Sequence, residues 1–128
     1  MGQVITGGLS YTCPILKSEA DAHGISYSAT FTEASNGQVY VKMNWSKAWN
    51  YCAGFGGGYR LASKEELLAL YNAYGNMTNY AGWPTLGFHW SSTSADLGYY
   101  FGIALGTGGI FEHGSNSNGL ASCVRPTN

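Results

Sequence analysis

At 128 residues the chain has room for one hydrophobic core and excludes a second independent one. Only 10% of its residues are charged, against 45% hydrophobic and 15% aromatic, and 19 are glycine, so turns and the polar groups of Ser, Thr, Asn and Tyr must carry its polarity. A net charge of −1, with six scattered Lys and Arg, leaves no basic stripe for nucleic acid and no polybasic patch for a membrane surface, and no apolar run approaches the roughly 18 residues of a membrane helix.

The first residues, Met1-Gly2-Gln3-Val4, lack the cationic start and apolar stretch of a signal peptide. They predict either a cytosolic protein or a piece of a longer secreted chain behind an added start Met. Gln3-Val4-Ile5-Thr6 is a short β-like run, and Ser18-Glu19-Ala20-Asp21-Ala22 suits one helical turn. Residues 27–32 alternate as a strand. Asn36-Gly37 then predicts a hairpin with Val39-Tyr40-Val41-Lys42-Met43.

Asn44 can cap a helix whose Trp45, Trp49 and Cys52 or Ala53 share one face, expected to be core. Glycines at 54–58 stop it. No Lys-Ser/Thr follows them, so they read as a turn and not as a phosphate cradle. Ser63-Lys64-Glu65-Glu66 is a capping box opening a helix with Leu67, Leu70, Tyr71 and Tyr74 on its apolar face, and Gly75 ends it. Residues 76–89 form a long irregular stretch, of the kind that is often functional. Strand-like segments follow at 90–93, 99–105, 110–113 and 120–124. Helices before an antiparallel meander make an α+β domain.

The three cysteines, Cys13, Cys52 and Cys123, fit no zinc spacing. A bond between Cys52 and Cys123 would close a long loop and add about 4 kcal/mol on a chain-entropy basis. Three free thiols in a reducing compartment fit the spacing equally well, and Cys13 is expected to be free in either case.

From residue 40 to 124 the order of pieces resembles the C-type-lectin-like receptor-binding domain that ends the intimin/invasin adhesins of Gram-negative bacteria. The residues carrying the likeness are the helix from Trp45 to Cys52, Gly57-Gly58-Tyr59-Arg60-Leu61, the helix from Lys64 to Gly75, Trp90-Ser91-Ser92-Thr93, and Cys123 near the end. The resemblance implies two short helices packed on an antiparallel sheet and a disulfide from the first helix to the last strand, Cys52 to Cys123. It further implies an extracellular tip on a rod of immunoglobulin-like domains held by an outer-membrane barrel. Residues 1–39 fall outside the likeness and are expected to be an extension or the first strands of a single domain over 1–128.

Calcium-dependent sugar binding needs a set of hard oxygen ligands. Here Pro84 sits between Trp83 and Thr85, Trp90 is followed by two serines, and Asp96 is the lone acid between Glu66 and Glu112. No cofactor or metal is therefore expected. His23, His89 and His113 lie in no catalytic signature. His89 reads as a satisfied loop or core histidine, and adjacent strand residues Glu112 and His113 should face opposite sides. Glu65 and Glu66 belong to the helix cap.

Recognition by surface remains. Candidate partner-binding residues are Asn76, Asn79, Tyr80, Trp83, Phe88, Asp96, Glu112, Asn116 and Asn118. Trp83 and Phe88 can serve as aromatic anchors in the long loop or tuck inward to pin it. The expected function is non-enzymatic attachment of a monomeric adhesin tip to a host or neighbouring-cell protein. A calcium-independent carbohydrate module using loop aromatics is the alternative, and a structural cap with no partner is the third.

Overall fold

The computed structural model describes residues 3–127; Met1 and Gly2, which head the Gly-rich start, and Asn128 lie outside it. Strands β1 (Gln3–Thr6) and β2 (Leu9–Thr12) form a hairpin whose second strand pairs antiparallel with the last strand, β9 (Cys123–Pro126). The two-residue strand β5 (Arg60–Leu61) covers the other side of β9, giving a four-stranded sheet in the order β1-β2-β9-β5. Helix α1 (Lys17–Ala22) leads into the hairpin β3 (Ala29–Thr32) and β4 (Val39–Lys42). A second sheet, β6 (His89–Ser94), β7 (Tyr99–Ala104) and β8 (Gly109–Gly114), is antiparallel in chain order.

The helices begin where local chemistry directs. Asn44 caps α2 (Trp45–Gly54) by accepting from the Lys47 N–H. Ser63 caps α3 (Lys64–Tyr74): its hydroxyl accepts from the Glu66 N–H, and the Glu66 carboxylate accepts from the Ser63 N–H. The same carboxylate takes both guanidinium nitrogens of Arg60, which with the Ser63 amide outweighs partial burial and holds Glu66 below the usual carboxylate range. Ser63→Ala should therefore lower stability by about 1 kcal/mol in denaturant unfolding.

Two expectations change. Residues 76–89 are not wholly irregular, because they contain α4 (Met77–Ala81), capped by Asn76 and stopped by Gly82 in the left-handed region. Five residues are too few to show a periodicity. Residues 120–122 are not strand but a crossover: the Leu120 N–H donates to Phe88, its carbonyl accepts from Trp90 of β6, and the Ser122 carbonyl accepts from Ala62.

One core cluster lies under α3 and α4, with Tyr11, Leu67, Leu70, Met77, Trp83 and Ile103. The other lies under α2, with Val41, Met43, Ala48, Trp90 and the Cys52–Cys123 disulfide, whose Cα atoms are 5.3 Å apart. The disulfide thus joins α2 to the last strand. Cys13 is free, and burial pushes its thiol up to about 12, so it stays protonated.

Candidate partner-binding surface

The nine residues read from the sequence do not converge on one site. Asn76, Asn79 and Tyr80 lie on or beside α4, where the Met77 N–H bonds the Leu105 carbonyl at the far end of β7. Asp96 lies at the opposite end, in the β6–β7 hairpin, and Asn116 and Asn118 lie in the loop beside it. The length of β7 separates the two groups by about 17 Å. Glu112 lies between them on β8 and is exposed, with the half-buried His113 on the other face.

Trp83 and Phe88 turn inward. Trp83 is 1% exposed and belongs to the core under α3 and α4. Its amide bonds the Met77 carbonyl and its carbonyl accepts the Thr78 hydroxyl, so α4 folds the indole under itself. Phe88 is half-buried, stacked on His113 at 3.6 Å and edge-on to Trp90 at 4.9 Å. Its ring fills the space over Gly102 and Gly119, where a Cβ would approach it to 2.5 Å.

His89 is core but not satisfied. It is fully buried, and neither ring nitrogen has a hydrogen-bond partner among the described residues. Burial first, and the Lys42 charge second, push its pKa down to about 3, so the imidazole is neutral.

The end around Asp96 shows what sequence reasoning missed. Ala95 N–H donates to the Tyr99 carbonyl, and Tyr99 N–H to the Asp96 carbonyl, closing a tight hairpin tip. At this tip Leu97 is 99% exposed. The neighbouring loop is tied to it, since Ser115 N–H donates to Gly98 and the Ser115 carbonyl accepts from Trp45. Trp45 in turn lies flat on Tyr100 at 3.8 Å, with its indole N–H on the Ser91 carbonyl. Trp49, expected in the core, stacks outside Trp45 at 5.3 Å and is 43% exposed, because Trp45 and Tyr100 occupy the space beneath it. The i, i+4 spacing puts both tryptophans on one face, but not at one depth. No signal in the sequence marks Leu97, whose exposure depends on where the hairpin tip points.

Among the described residues no three His, Cys, Asp or Glu side chains converge as a metal-holding group. What this end offers is a fixed apolar knob, stacked indoles, a single carboxylate and loop amides, a set suited to contact with another macromolecule.

The profile of the InvE adhesion domain matches residues 1–124. The chain belongs to this adhesion-domain family. Among solved structures, the invasin-family adhesin InvE of Yersinia pseudotuberculosis is similar at 26% identity and a TM-score of 0.81, over 96% of this chain and 33% of that one. The InvE-type domain thus spans about a third of the adhesin chain it matches. Botrocetin, at 10% identity and a TM-score of 0.58, is similar over 98% of this chain and 96% of its own and bears on the fold alone. No curated protein matches. As an InvE-type adhesion domain the chain has the α+β, C-type-lectin-like fold, and family membership supports a role in cell adhesion.

Proposed function

We propose that the chain is the non-enzymatic, receptor-binding tip of a bacterial cell-surface adhesin. It attaches by gripping a host or neighbouring-cell protein with the end built from Asp96, Leu97, Asn116, Asn118 and Trp49. The observation that carries this reading is Leu97, 99% exposed on a turn braced by backbone bonds to Tyr99 and Ser115. A single exposed leucine is ordinary; one on a turn whose backbone is already braced by hydrogen bonds loses little backbone freedom when it enters a pocket. Family membership and the likeness to a Yersinia adhesin support the setting at the bacterial surface. No helix of the described residues is long and apolar enough to cross a membrane.

Leu97→Ala should leave the melting temperature unchanged and weaken attachment of displayed domain to host cells by roughly 30-fold, the equivalent of about 2 kcal/mol at an anchor residue. Unaltered attachment by both Leu97→Ala and Trp49→Ala would remove this end from consideration. Calcium-independent carbohydrate binding retains one supporting observation. Tyr80 is exposed and stacked on Tyr74 at 4.0 Å, which makes a flat platform at the opposite end. Glycan-array binding that is lost in Tyr80→Ala and kept in Leu97→Ala would favour it.

A further inference from the structure

We propose that the free edge of β8 captures an extended, cation-bearing strand of a partner protein by adding it to the three-stranded sheet. β8 is the terminal strand of that sheet and pairs with β7 in unbroken register from Gly109 to Gly114. The Ser115 N–H bonds the Gly98 carbonyl, and bonded pairs alternate along an antiparallel ladder. Phe111 and His113 therefore bond inward to Gly102 and Tyr100, while the N–H and C=O groups of Ile110 and Glu112 turn outward. None of these four groups has a hydrogen-bond partner among the described residues. Ile110 is 46% exposed, Phe111 is 56% exposed, and Glu112 next to them is exposed as well.

Edge strands are normally closed by a bulge, a proline, a lysine or a covering loop. β8 has no bulge, proline or lysine, and its one charge is Glu112. The opposite edge of the same sheet is covered: Trp90 of β6 donates to Leu120, and Ser92 donates to Ala62. The contrast makes β8 the open side.

The side chains specify what fits. Residues opposite Ile110 and Glu112 on an added strand are two positions apart and share one face. An aliphatic residue facing Ile110 and a Lys or Arg facing Glu112 would complete both pairs, with an apolar residue between them against Phe111. In antiparallel pairing a second copy of β8 brings glycine, isoleucine or another glutamate to Glu112, never a cation, so charge complementarity favours a different chain. The inference is independent of the hairpin tip at Leu97, and either surface can fail without the other.

The test uses a short synthetic peptide carrying Lys-Val-Val flanked by threonines, so that the lysine and the second valine share one face, with amide-resolved hydrogen exchange on the intact domain. The amides of Ile110 and Glu112 should exchange freely alone and slow by about tenfold or more with saturating peptide. A peptide N-methylated at alternate backbone positions should give no protection. Glu112→Lys should weaken the lysine peptide by up to about fivefold, the range of one cross-strand ion pair. Ile110→Pro removes an outward donor and no donor of the β7 ladder, and should abolish protection at Glu112 while the inward amides of Phe111 and His113 stay protected. Protection of Ile110 and Glu112 in the free domain would overturn the proposal. So would peptide effects confined to Leu97 and its neighbours, or protection that rises with domain concentration alone.

Discussion

Acidification from pH 6.5 to pH 4 should remove about 3 kcal/mol of stability through His89 alone, and His89→Leu should abolish most of that loss. The imidazole is fully buried between Trp83 and the neighbourhood of Lys42, with both nitrogens unpartnered. Its pKa falls from 6.5 to about 3 on folding. An unfolded chain takes up a proton near pH 6.5, whereas the folded one does so only near pH 3. Unfolding therefore binds a proton throughout that window, and each unit of acidification subtracts about 1.4 kcal/mol. The contribution is fully present above pH 6.5 and is lost as pH falls. Leucine has a similar volume and no polar atoms to strand, so His89→Leu should be at least as stable at pH 7. Urea unfolding between pH 7 and pH 4 measures both slopes, and identical slopes in the two proteins would refute the role of His89. Glu66, held low by Arg60 and the Ser63 amide, begins to add its own loss as pH falls toward 4.5, its ordinary value, so the slope between about pH 6.5 and pH 5 isolates the histidine.

Reduction of Cys52–Cys123 should be the other large effect. The bond spans 71 residues and ties α2 to the last strand inside a core cluster. Freeing a loop of that length in the unfolded chain removes about 4 kcal/mol of stability, a fall in melting temperature of roughly 15 °C for a domain of this size. The double substitution Cys52→Ala with Cys123→Ala should reproduce it, with some further loss from the cavity. A melting temperature insensitive to reductant would mean that packing of α2 against Leu61 and Trp90 suffices without the bond. Cys13 should not substitute, because burial keeps it a thiol and it lies outside the bonded pair.

Much of the domain was legible because its signals are local. The Asn36-Gly37 hairpin, the Asn44 cap, the capping box at Ser63 and the apolar face of α3 each depend on residues within a few positions of one another, and each forms as read. The disulfide was legible only through family resemblance, since three cysteines at these spacings allow either pairing or free thiols. Partner recognition was harder. The sequence offered Asn and acidic residues in loops as candidates, but could not say which loops meet. Asp96 joins residues 115–118 through the Gly98–Ser115 bond, while Asn76 and Tyr80 sit at the other end of β7. The large aromatics were hard to place: Trp83, for which the loop composition left an anchor and an inward role open, is core, and Trp49, with a helical core spacing, is surface.

Chain order and short-range chemistry thus determined the helices other than α4, most of the strands and the α+β class, because caps, turns and periodicity act over a few residues. Tertiary structure alone decided depth and exposure. Whether an indole is buried depends on what already fills the space beneath it, as Trp45 and Tyr100 do under Trp49. Whether a leucine is a knob depends on the direction of a hairpin tip, and whether a strand edge is open depends on which distant segment returns to cover it. Leu120 and Ala62 return to β6, and among the described residues none returns to β8.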